Sequence, residues 1–169
     1  MKKIIIANWK MNPDSGSKAR ALAEETEREI APVKNVDVVI APPYPFLRDV
    51  GSALAKASLG AQDVFWEGDG AYTGEVSVRQ LKDSGVGYVI VGHSERRAIS
   101  GEADEMVHRK VRAALEGGLT AILCVGEAER SGSEIPATVS LQVQSALAGL
   151  KKPLLKKLII AYEPVWAIS

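Results

Sequence analysis

Six short apolar runs recur along the chain, at Ile4 to Ala7, Val36 to Ala41, Leu59 to Gln62, Tyr88 to Gly92, Ala121 to Val125 and Leu158 to Tyr162. They are continuous rather than alternating, the pattern of parallel strands buried on both faces. Amphipathic helical patterns lie between most of them. The clearest comprises Ala103, Met106, Val107, Lys110, Val111, Ala114 and Leu115, whose apolar members recur at helical spacing until Gly117 and Gly118 end it. A second stripe, Ile135, Val139, Val143 and Leu147, predicts a helix that carries Pro136 in its first turn. The strand starts fall roughly 23 to 37 residues apart. Eight strand-helix units in about 250 residues need about 31 each, so the spacing suits a (β/α)8 barrel, although an open doubly wound sheet gives the same alternation.

At 169 residues the chain fits one domain, residues 1–169, with a core of useful size. Lys plus Arg and Asp plus Glu both number 21, and no run of like charge points to a nucleic-acid or membrane surface. The opening MKKIIIANWKMN is too short in its apolar run for a signal sequence and reads as a first strand. No apolar stretch approaches the roughly 20 residues that cross a bilayer, and the single Cys124 has no internal partner, so a cytoplasmic location is expected.

In parallel α/β folds the chemistry gathers at the carboxyl ends of the strands. Strand one there offers Asn8, Trp9 and Lys10; strand four His93, Ser94, Glu95 and Arg96; strand five Glu127; strand six Glu163. Each has an ordinary reading. Lys10 suits a solvated loop cation, Glu127 a structural ion-pair partner, and His93 a helix-start residue. Together, an Asn, a Lys, a His and a Glu on one rim could hold an anionic carbonyl compound, polarise its oxygen and remove an adjacent proton. Cys124 in an apolar strand reads as a buried inert thiol, and His108, beside Arg109, as part of a solvated helix face.

The strings ANWKMN (7–12), APPYPFL (41–47), GAQDV (60–64), GAYTGEVS (70–77), VGHSERR (91–97), CVGE (124–127) and AYEPVWAI (161–168) closely resemble, in order and spacing, the signatures of the triosephosphate isomerase family. One departure is Asp63, where the family usually shows Asn. The resemblance implies a TIM (β/α)8-type barrel, here an incomplete (β/α)6 portion with six parallel strands. It implies Glu163 as the base that moves a proton between adjacent carbons of dihydroxyacetone phosphate and glyceraldehyde 3-phosphate, without cofactor or metal. His93 becomes the electrophile on the carbonyl oxygen, its place before a helix favouring a neutral ring. Lys10 and Asn8 become the groups that attract the phosphorylated triose and stabilise the enediolate. Glu95 and Arg96 are implied to hold the site and a subunit interface together. The turn-rich segment from Glu67 to Ser77 reads as a protruding loop, and Thr73 within it as a contact to a neighbouring subunit.

Family members continue past AYEPVWAI with the rest of a lid and two further strand-helix units whose loops bind phosphate. Lid residues Pro164 to Ile168 are present, and Ser169 stands where the family has Gly. A barrel short of two strands would expose apolar edges on strands one and six, and a homo-oligomer formed through those edges and the Thr73 loop is expected. Closing six strands into a narrower barrel would change tilt, shear and packing, so an open arrangement is favoured. A self-assembling, non-catalytic barrel fragment stands as the alternative to an isomerase.

Overall fold

Residues 3–130, 132 and 134–167 are described in a computed structural model of the chain. Six strands, β1 (Lys3–Asn8), β2 (Val36–Ala41), β3 (Ser58–Ala61), β4 (Tyr88–Val91), β5 (Thr120–Val125) and β6 (Leu158–Tyr162), run in sequence order across one sheet. Every neighbouring pair is parallel. Each expected strand is present, its ends shifted by at most one residue. Six α-helices join them: α1 (Gly16–Ile30), α2 (Leu47–Gly51), α3 (Val78–Asp83), α4 (Ser94–Ile99), α5 (Asp104–Glu116) and α6 (Ala137–Leu147). The sheet curls as an incomplete TIM barrel with β1 and β6 at its two ends, so the doubly wound alternative is set aside.

Register decides which way each side chain points. Ile6, Ala41, Tyr88, Ile90, Ile122, Cys124, Ile159 and Ala161 gather in one small cluster on the concave face. Their neighbours in sequence, including Ile40, Val89, Val91, Leu123 and Val125, join the larger core under the helices, as do Leu59 and Ala61 of β3. Two buried faces thus account for the continuous apolar runs. Small residues set how closely α1 approaches, since Ala19 and Ala23, four apart, are its buried positions.

Local sequence explains most boundaries. Ser77 caps α3 by accepting from the Gln80 backbone, while the Gln80 side chain accepts from the Ser77 backbone, a complete capping box. Replacing Ser77 by Ala is expected to cost about 1 kcal/mol of stability, read as a lower urea midpoint at unchanged slope. Three helix expectations need correction. Pro136 is the N-cap of α6 rather than a first-turn residue, and Ile135 lies outside the helix and is exposed. His108 is not on a solvated face: it is half-buried, with Nδ1 3.2 Å from the Ala146 carbonyl of α6. Lys110, within the α5 stripe, is among the largest of the buried side chains. Ile168 and Ser169, at the expected end of the lid, lie outside the described residues.

Candidate active site

The rim at the carboxyl ends of β1, β4, β5 and β6 brings the expected residues together. β4 is followed by Gly92, whose φ of +73° turns the chain sharply before His93. His93 then caps α4, its Nδ1 accepting the Glu95 backbone N–H at 3.2 Å. A nitrogen that accepts carries no proton, so the ring's proton sits on Nε2. That Nε2–H points at Glu163 Oε1, 3.2 Å away, and the Ser94 N–H donates to Glu163 Oε2 at 3.1 Å. His93 and Glu163 are mostly buried, with side chains 12% and 17% exposed.

Glu163 is placed by backbone contacts with β5. Its N–H donates to the Val125 carbonyl at 2.8 Å, and its own carbonyl passes over Gly126 so closely that a Cβ there would lie 1.8 Å from it. Gly126 is in turn clamped by a side chain the sequence did not single out. Buried Gln142 of α6 accepts from the Gly126 N–H at 2.8 Å and donates to the Gly126 carbonyl at 3.1 Å. The signal available was a polar residue next to the Val139 and Val143 stripe.

On the other side of the rim, Lys10 adopts a left-handed φ of +53° that a side-chain-bearing residue adopts only under constraint. Asn8 Oδ1 accepts the Lys10 N–H at 3.0 Å, and Gln62 donates to the Lys10 carbonyl at 2.8 Å. The Lys10 ammonium meets Glu95 at 2.8 Å, both half exposed. Asn8, Lys10, Gln62, His93, Glu95 and Arg96 line a cleft of about 210 Å³. Glu163 borders a second, more apolar cavity of about 340 Å³ with Ser94 and Val165. Thr73 stands apart from both, exposed in a turn of the 66–77 segment. That segment is braced by the Phe65 contacts with Trp66 and Tyr72 and by the Arg79–Asp69 pair at 3.2 Å.

Behind the cleft lies a buried ionic cluster that sequence reasoning missed. Lys110 donates to both oxygens of Asp63 at 2.7 and 2.8 Å and to Glu102. Arg96, on α4 beside the site, reaches Asp63 at 2.9 Å and also pairs with Glu102. Two acids therefore face two bases. Burial lifts the Asp63 carboxyl above its usual range against the pull of Lys110. In Glu102 burial is outweighed by hydrogen bonds from Lys110 and Arg96, which hold that carboxyl below its usual range. Asp63, the departure from the family pattern, is thus a full member of the cluster that anchors Arg96. Arg96 lies one helical turn from His93, whose carbonyl it bonds through its own N–H at 2.9 Å.

Glu127, expected as an ion-pair partner, takes hydrogen bonds from a phenol and an indole. It accepts from Tyr162 Oη at 2.6 Å and from Trp166 Nε1 at 2.9 Å. Those bonds, Tyr162 first, hold the Glu127 carboxyl below its usual range. They also tether the segment that follows Glu163, with the Val165 N–H on the Glu127 carbonyl at 3.0 Å. Cys124 is buried, and burial with the nearby Glu163 charge raises its thiol, which suits an inert role. Among the described residues no helix is long and apolar enough to cross a membrane.

The family model described as triosephosphate isomerase matches residues 3–169. Curated proteins of that name are similar over nearly the whole chain: 46% identity over 98% of it in Pelobacter propionicus, 45% over 98% in Geobacter metallireducens and 45% over 98% in Thermoanaerobacter pseudethanolicus. The chain spans about two thirds of these relatives, 67%, 67% and 68% of their lengths.

Proposed function

The chain belongs to the triosephosphate isomerase family, and from that premise we propose that Glu163, His93, Lys10 and Asn8 carry out its proton transfer. The reaction interconverts dihydroxyacetone phosphate and glyceraldehyde 3-phosphate. Glu163 takes a proton from the hydroxyl-bearing carbon beside the carbonyl, and His93 passes its Nε2 proton to the carbonyl oxygen as that gains charge. Glu163 returns its proton to the former carbonyl carbon, while the neighbouring hydroxyl, becoming the new carbonyl, gives its proton back to His93. The Lys10 cation attracts the phosphorylated triose and stabilises the enediolate, with Asn8 fixing the backbone that aims it. The observation that carries this reading is the 3.2 Å approach of His93 Nε2 to Glu163 Oε1. A base and a neutral N–H donor already side by side need only a carbonyl compound to come between them.

Without substrate, both Glu163 oxygens are engaged by His93 and Ser94, so binding must exchange those contacts for the substrate carbon. A coupled isomerase assay tests the role of the cation. Lys10→Met is expected to lower kcat/KM about a hundredfold, the scale on which one stabilising group at a developing oxyanion acts. An unchanged kcat/KM would remove Lys10 from the site.

The same proposal treats residues 1–169 as one domain working in the cytoplasm. It also has chains associating through the Thr73 loop and, where nothing else covers them, through the edges of β1 and β6. Glu95 and Arg96 support the cleft wall that the loop of a second copy would face. Exposed Met11, Ile99 and Tyr72 suit such a contact. Light scattering across a wide dilution range checks it, with a mass above the monomer expected and a monomeric mass throughout contradicting it.

A further inference from the structure

Helix α6 buries Val139, Gln142 and Ala146, and the middle one is an amide. A buried amide costs free energy unless its donor and its acceptor both find partners. Gln142 commits both to one residue, Gly126, the first after β5. The ladder explains why that residue needs them. Alternate residues of a parallel strand bond to opposite neighbours. The Val125 and Glu127 carbonyls accept from the Glu163 and Val165 N–H groups on the β6 side, so Gly126 presents its own N–H and carbonyl to the β4 side. There β4 has already ended. Its last pair with β5 is Val91 with Leu123, and the chain turns away at Gly92. The Gln142 amide supplies the donor and acceptor that one more residue of strand would have supplied.

What the amide holds is the seat of Glu163. The Glu163 carbonyl lies so close over Gly126 that not even a methyl group fits between them, so the two backbones are placed together. Lys10 and Asn8, across the rim, are held separately, through Gln62 and Glu95. We propose, on the reading that Glu163 is the base, that Gln142 is a positioning residue: by clamping both polar groups of Gly126 it fixes the backbone from which Glu163 reaches His93 and the substrate carbon.

Gln142→Met keeps the length and most of the volume of the side chain and deletes both hydrogen bonds. In the coupled isomerase assay kcat is expected to fall about a hundredfold, the scale on which a misplacement of about 1 Å acts. KM should stay within about twofold, because the groups that hold the phosphorylated triose are untouched. In a Glu163→Gln background the same substitution should cost nothing further, since a residue acting only through the base has no base left to place. A second readout needs no turnover. The His93 Nε2 proton, told apart by ¹⁵N NMR from that of His108, the chain's other histidine, should shift when Gln142→Met moves Glu163 Oε1. If the methionine variant does not fold, Gln142→Glu, which keeps the volume and an acceptor for the Gly126 N–H, carries both measurements. An unchanged kcat, an equal loss with and without Glu163→Gln, or an unmoved His93 proton would each overturn the positioning role. Turnover that survives Glu163→Gln strikes instead at the base itself, and the His93 signal still reports whether Gln142 places that carboxylate.

Discussion

Glu163→Gln is expected to lower isomerase turnover about a thousandfold, within the range that a positioned general base contributes. The substitution keeps an oxygen to accept the Ser94 N–H, which now lies 3.1 Å from Oε2, and keeps nearly the same volume. It removes the basicity, and with it one of the two acceptors, since the amide nitrogen would face the His93 Nε2–H. Stability should nevertheless change little, with the thermal midpoint within about 2 °C of the parent, a shift worth at most about 1 kcal/mol. A coupled assay and a melting curve on the same preparation check both halves. Lost turnover with an unchanged midpoint assigns the loss to chemistry, and turnover that survives removes Glu163 as the base.

The second large effect is on stability. Lys110→Met should destabilise the fold by about 3–5 kcal/mol, because Asp63 and Glu102 would be left buried with Arg96 as their remaining cation. Methionine fills much of the lysine's volume, so the loss would come from charge rather than from a cavity. Urea unfolding gives the magnitude as a lower midpoint. Adding Asp63→Asn to Lys110→Met removes one uncompensated charge and is expected to recover at least about 1 kcal/mol, a coupling that independent sites would not show. Additive losses would mean that the four charges do not act as a unit.

Legibility in the sequence followed physical range. The strands could be read because burial on both faces leaves continuous apolar runs, and β2 and β6 begin and end where those runs do. The site could be read because its groups sit directly after strands: Lys10 after β1, His93 after β4, Glu163 after β6. The ionic cluster could not, because its partners are far apart in the chain: Lys110 meets Asp63 across 47 residues. Its one trace was a lysine at a stripe position of α5, between Val107 and Val111, where a solvated residue would be out of place. The α6 boundary was misplaced because a proline reads equally as a cap and as a first-turn residue. His108 was misread because its partner is a backbone carbonyl on another helix, which no side-chain pattern reveals.

The central claim is that one base and one neutral histidine on this rim exchange a proton with a triose phosphate. Exchange reads the carbon proton step itself, so it tests the claim more directly than net turnover does. The measurement is deuterium incorporation into dihydroxyacetone phosphate in heavy water, followed by NMR, for the chain and for Glu163→Gln. The account predicts label entering at the carbon beside the carbonyl with the chain and falling to the buffer rate with Glu163→Gln. Equal incorporation in the two, above that of buffer, would contradict it.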